Sequence, residues 1–110
     1  METDFYEENG YMVVRASGKL DTINAPQFTK KLQEALEKKL SLSLVDLSGV
    51  SFLSSSGLQA LLMGAKISKA NGTDFVVFGM QELVKEVFEM SGFNNFIKDF
   101  TSKEEALSML

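Results

Sequence analysis

The stretch "SFLSSSGLQALL", residues 51–62, joins an apolar strand-like run to an apolar helix-like run through three serines and a glycine. Downstream, Leu58, Leu61, Leu62 and Ala65 set one face of a helix that runs to the stop signal Asn71-Gly72. Upstream, "LSLVDL" (42–47) reads as a short strand. The serines between them are open to four readings: a helix cap, a nucleophile, a phosphate cradle or a site that another protein modifies.

Working outward, residues 3–8 and 11–17 read as a hairpin, with Asn9-Gly10 as its two-residue turn. Met12, Val14 and Ala16 make the apolar face of its second strand. Phe28, Leu32, Ala35 and Leu36 recur at helical spacing after Pro26, which suits a first helical turn. "FVVF" (75–78) is a continuous apolar run, as expected of a strand buried on both faces. Leu83, Val84, Val87 and Phe88 mark a third helix, ending at Gly92, and "FIKDF" (96–100) a last strand. Ser102 and Glu105 form a capping box for a short final helix carrying Ala106, Leu107 and Leu110. The order β-β-α-β-α-β-α-β-α predicts an α/β fold, a mostly parallel sheet with one antiparallel strand, in a single domain over residues 1–110. In such sheets functional loops gather at the carboxyl ends of the strands. Three segments qualify here: 18–25 "GKLDTINA", 48–57 "SGVSFLSSSG" and 79–82 "GMQE".

Composition removes several classes of chemistry. With no His and no Cys there is no Ser-His-Asp triad, no Cys-His dyad, no usual zinc site and no disulfide. The glycines form neither a dinucleotide fingerprint nor a P-loop. A net charge of −4 has the wrong sign for nucleic acid, and the cluster Lys30, Lys31, Lys38 and Lys39 falls on the outer, solvated face of the first helix. No apolar run approaches the ~20 residues of a membrane span. A cytoplasmic protein without cofactor, metal, membrane or nucleic acid is the expectation. The adjacent pairs Glu7-Glu8 and Glu104-Glu105 diverge in a strand or helix, so paired-carboxylate catalysis is set aside.

"VDLSGVSFLSSSGLQALL" resembles the signature of anti-sigma factor antagonists, the STAS domain family, roughly D-L-S-x-V-x-[FY]-[ML]-D-S-[SA]-G-L. "GKLDTINAPQF" is similar to the family's G-x-[IL]-D-x-x-x-[AS] segment. "NGTDFVVFGMQELVKEVFEMSGFNNFI" is similar to its third and fourth strands and the helix between them. The resemblance spans essentially the whole chain. It implies five strands in sequential order with about four helices in a β-α superhelical arrangement. It also implies a function: the unphosphorylated antagonist binds an anti-sigma factor that is itself a serine kinase, and so frees the sigma factor. Phosphorylation by that kinase, with ATP bound by the partner, switches the antagonist off, and a PP2C-type phosphatase reverses it. Carried over by position, the acceptor is Ser55, and Asp21 is the acidic residue of the neighbouring loop. Where the family usually has Asp before the acceptor this chain has Ser54, which makes Ser54 the next candidate.

Read by their own chemistry, one serine of Ser54, Ser55 and Ser56 satisfies a cap worth ~1 kcal/mol, and three do not add threefold. A phosphate at a helix start meets free N–H groups and the positive end of the macrodipole, so the fold tolerates it. Gly57 is either a tight-turn glycine or one that leaves the backbone open to an approaching kinase. Asn24 and Pro26 suit the first helix start, which leaves the Asp21 carboxylate free for a partner. Met63 is placed with Gln59 and Lys66 on the helix face away from Leu58, Leu61 and Leu62, as an exposed binding residue. The expected docking surface is therefore Asp21, Thr22, Asn24, Ser54, Ser55, Ser56, Gly57, Gln59 and Met63. Two alternatives stand beside this switch. One is a non-phosphorylated STAS scaffold subunit in a lipid-transport or larger signalling assembly. The other is a hydrolase using Ser55 with Lys19 or Lys66 as base.

Overall fold

A computed structural model of the chain describes residues 1–110. Strands β1 (Glu2–Glu8) and β2 (Tyr11–Leu20) form the antiparallel hairpin. Asn9 and Gly10 both take positive φ at its turn (48° and 86°), the two-residue geometry that matches strand twist. There follow α1 (Ala25–Leu36), β3 (Leu42–Leu53), α2 (Ser55–Asn71), β4 (Asp74–Phe78), α3 (Glu82–Met90), a 3-10 turn (Phe93–Asn95), β5 (Lys98–Phe100) and α4 (Lys103–Met109). The sheet order is β1-β2-β3-β4-β5, with every pairing after the hairpin parallel. The fold is thus the expected mixed five-stranded sheet with four helices.

The two faces of the sheet explain the apolar pattern. Met12, Val14, Ala16, Val45, Leu47 and Val77 point to one side, where α1, α2 and α3 bring Phe28, Leu32, Leu58, Leu61, Val84 and Phe88. Val13, Leu44, Val76 and Phe78 point to the other, covered by Ala106 of α4. "FVVF" is therefore buried on both faces. The final helix is tied back to the hairpin by Lys103 Nζ, which donates to Glu8 Oε1 at 2.8 Å. That bond and a second from the Tyr11 hydroxyl (2.6 Å) hold the Glu8 carboxyl below its ordinary range.

Several boundaries differ from expectation, first that of β2, which runs on to Leu20 through residues 18–20 expected as loop, because β3 pairs with them. Residues 48–53 belong to β3 and are not loop: Gly49, Val50, Phe52 and Leu53 pair with Ser17, Gly18, Lys19 and Leu20 of β2. The Ser and Gly content of "SGVS" favours a loop locally, but the ladder and the burial of Val50 and Leu53 override it. The last strand starts at Lys98, because Phe96 and Ile97 donate back to the Phe93 carbonyl in the preceding turn. On α3 only Val84 and Phe88 are buried, while Leu83 and Val87 face outward. At its end Ser91 is the cap residue and Gly92 follows in the left-handed conformation. The capping box of α4 is present in altered form: Ser102 accepts from the Glu105 N–H, and Glu105 reaches back to Thr101 N–H, not to Ser102.

Candidate functional site

Ser54 is the cap of α2. Its extended backbone (φ −92°, ψ 172°) turns its Oγ to accept from the Gly57 N–H at 3.2 Å. The same hydroxyl donates to the Leu20 carbonyl at 3.1 Å, and the Ser54 N–H donates to that carbonyl at 3.0 Å. Ser54 thus ties the end of β3 to the end of β2 and starts the helix. Its hydroxyl is fully used in folding. Ser54→Ala removes the cap and one of the two bonds to Leu20, so a loss of about 1–2 kcal/mol is expected. For a domain of this size that lowers the melting temperature by roughly 5 °C, readable by calorimetry; an unchanged midpoint would remove this role.

Ser55, the first helical residue, is exposed, and its hydroxyl has no partner in the protein. The N–H groups of Ser55 and Ser56 have no protein acceptor, as at any free helix start. Ser56 Oγ lies 3.3 Å from Thr22 Oγ1, which brings the loop after β2 against the serine turn. Of the three hydroxyls, only that of Ser55 is unengaged.

Gly57 is buried, not displayed. A Cβ placed on it would stand 2.7 Å from the Leu20 carbonyl oxygen and 2.9 Å from Leu53 Cδ1. It permits close approach of helix to strands rather than access by a kinase, and lies beneath the candidate surface. Asp21 is likewise less free than expected. Its Oδ1 accepts from the Asn24 N–H at 2.9 Å and its carbonyl from the Ala25 N–H at 2.8 Å, so it shapes the turn into α1. Asn24 takes the cap position without a side-chain capping bond; its Nδ2 donates to the Lys19 carbonyl instead. The remaining carboxylate oxygen of Asp21 is the part left for a partner. Thr22 and Gln59 are exposed. Met63 is half-buried against the core and accepts from Gln33 Nε2 of α1 at 3.5 Å, so it is a helix-packing residue and not an exposed one. Neither lysine suits a base for Ser55: Lys66 lies eleven residues along α2, about 16 Å by helical rise. The side chain of Lys19 is exposed and makes no hydrogen bond to Ser55.

The structure adds apolar residues that the expected docking surface left out. Phe52, two positions before Ser54, is 50% exposed, and across from it α3 presents Leu83 (71%) and Met90 (81%). With Val87 these line a shallow apolar cavity of about 360 Å³ beside the turn. On the turn's other flank Ile23, next to Thr22, is 87% exposed. The clue lay in α3, whose apolar residues fall in two stripes, Val84/Phe88 and Leu83/Val87/Met90, when a core needs only one. The loops at the carboxyl edge thus form an exposed serine framed by uncovered apolar side chains, an arrangement suited to docking a protein. No group of acidic residues able to hold a metal is present, and no helix is long and apolar enough to cross a membrane.

A mixed β-α sheet with such a turn at its carboxyl edge defines the class; sequence comparison supplies the family. The STAS domain family matches residues 2–106, and the chain belongs to that family. The chain is similar to BtrV of Bordetella bronchiseptica, at 29% identity over 98 residues, 89% of this chain and 84% of that protein. It is also similar to the anti-sigma F factor antagonist of Paenibacillus polymyxa, at 24% identity across 100% of this chain and 95% of that protein. Among solved structures, an anti-sigma factor antagonist from Mycobacterium paratuberculosis superposes with a TM-score of 0.90 at 22% identity, covering 98% of this chain and 92% of that one. The Bacillus cell fate determinant SpoIIAA in its phosphorylated form superposes at 0.71, with 21% identity and 98% of both chains covered.

Proposed function

We propose that this protein is an anti-sigma factor antagonist and not an enzyme. In its unphosphorylated state it binds an anti-sigma factor serine kinase and releases the sigma factor. Phosphorylation of Ser55 by that kinase, which supplies the ATP site, turns it off, and a PP2C-type phosphatase turns it on again. The observation that carries this reading is the division of labour at the turn. Ser54 is consumed by the cap, Ser56 meets Thr22, and Ser55 alone offers a free hydroxyl. The exposed apolar residues beside it supply the contact area that a serine alone lacks. Family membership and the names of the relatives point the same way.

The test mixes the purified chain with the anti-sigma factor kinase of its own cell and ATP, and follows intact mass. One phosphate per chain, on the peptide containing Ser55, is expected, and no incorporation would overturn the reading. The apolar frame makes a second prediction. Leu83→Glu places a charge at 71% exposure, so folding changes by under about 0.5 kcal/mol. Complex formation, by contrast, should weaken by about tenfold or more, as for a residue central to an interface. Unchanged affinity in a binding titration would exclude α3 from the docking face.

A further inference from the structure

Toward the C-terminal end of α2, away from the serine turn, a groove of about 610 Å³ opens between the helix flank and the segment leading into β5. Its apolar lining includes Leu62 and Ala65 of the helix, Phe75 of β4, Phe93 and Phe96, and Leu110, which follows α4. Phe96 is 72% exposed, an uncovered aromatic at the groove's wall. Three cations, Lys66, Lys69 and Lys98, line the same groove against one acidic side chain, Asp74. None of the three takes part in an ion pair; the chain's ion pairs use Arg15, Lys31, Lys85 and Lys103. Lys69 has a local role, since it sits in the last turn of α2, where a cation complements the helix dipole. That account does not extend to Lys66 or Lys98. In a chain of net charge −4, three unpaired lysines around an apolar groove form a local reversal of sign.

The volume lies within the ~300–1,000 Å³ of small-molecule sites. The lining decides the chemistry of the occupant. It includes no amide side chain, and its one hydroxyl, Thr73 Oγ1, is spent donating to the Ser68 carbonyl at 3.1 Å. A nucleobase or sugar would have no neutral side-chain group to read its polar edges. An apolar chain with a charged end has what it needs. We propose that this groove binds an amphiphilic anion, an alkyl chain ending in a carboxylate or phosphate, the chain against Phe93 and Phe96 and the head among Lys66, Lys69 and Lys98.

The probes are decanoate and decyl phosphate below their micellar concentrations, with decanol as the uncharged control and AMP as the nucleotide control. Each is titrated into the full chain and followed by amide NMR shifts and calorimetry. Saturable shifts confined to residues 62–76, 93–98 and Leu110 are expected for an alkyl anion, and which of the two binds more tightly identifies the head group. Decanol should bind at least about tenfold more weakly. The double variant Lys66→Gln, Lys69→Gln should lose about tenfold for the anion and nothing for decanol. Ala65→Trp, which fills the groove from the helix flank, should abolish both. Anion affinity undiminished in the lysine variant, AMP bound in preference to the alkyl anions, or shifts that never saturate would each overturn the proposal. Because the serine turn is at the opposite end of α2, none of these outcomes bears on the switch at Ser55.

Discussion

A single methyl group on Gly57 is expected to destabilise the protein by about 2 kcal/mol, more than the same change at Gly64, two turns further along the helix. Both glycines lie on the buried side of α2. By helix propensity alone, Gly→Ala should stabilise by up to ~1 kcal/mol at either position. At Gly57 the new Cβ meets the Leu20 carbonyl oxygen at 2.7 Å and Leu20 Cγ at 2.8 Å. That oxygen is backbone in β2 and already accepts from both the Ser54 N–H and Ser54 Oγ, so it cannot yield without loosening the cap. Overpacking of this kind costs up to ~3 kcal/mol, which wins over propensity. At Gly64 the Cβ meets Leu32 Cδ2 and the end of the Phe75 ring at 2.8–2.9 Å, side-chain tips rather than backbone, which give way at less cost. There the two effects nearly offset. Gly57→Ala should lower the melting temperature by roughly 8 °C, and Gly64→Ala should stay within a few degrees of wild type. The reverse order in a calorimetric comparison would show that the helix start, not its middle, has room to move.

Much of the architecture was legible because each element carries its own period. The hairpin turn Asn9-Gly10, the helical spacing of Phe28, Leu32 and Leu36, and the unbroken "FVVF" have one physical reading apiece, and the structure agrees with all three. What sequence could not show was long-range. Residues 48–53 extend β3 only because Ser17–Leu20 lie alongside, and Gly57 is required only because Leu20 lies beneath it. The candidate site divides along the same line. Ser54 as cap follows from local chemistry, and the structure bears it out. Gly57 and Met63 are held by neighbours 37 and 30 residues away, so their freedom could not be judged locally, whereas Asp21 is held within its own turn by Asn24 and Ala25. Leu83, Val84, Val87 and Phe88 mark the third helix in the sequence, but their spacing does not say which of them face inward. The sheet has room beneath α3 for one stripe, and the second stripe is left at the surface beside the serine turn.

Ser55 carries the largest functional prediction. With partner kinase and ATP, wild type should gain one phosphate, and Ser55→Ala should gain none while still binding the kinase. Ser55→Asp should bind about 5- to 150-fold more weakly, the range that follows from ~1–3 kcal/mol for a polar group buried without a partner. Neither variant should disturb folding. Ser55 is exposed at the first position of α2 and makes no hydrogen bond through its side chain, so removing the hydroxyl strands nothing. A negative charge at that position faces the free N–H groups of Ser55 and Ser56 and the positive end of a 17-residue helix, which favours it by ~0.3–1 kcal/mol. A phosphate brings about −1.5 to −2 charges to the same place, so it too is accommodated by the fold and opposed only by the docking partner. Stability and binding should therefore move in opposite directions in Ser55→Asp, a slightly higher melting temperature with a weaker complex. If Ser55→Ala were phosphorylated stoichiometrically, the acceptor would be another serine. Ser54 would be examined first, but its hydroxyl would have to leave both Leu20 and Gly57 to reach a kinase. Phosphorylation there would then cost the cap, and the modified protein should melt several degrees lower than the unmodified one. The sign of the melting shift on phosphorylation thus separates the two serines without any substitution at all.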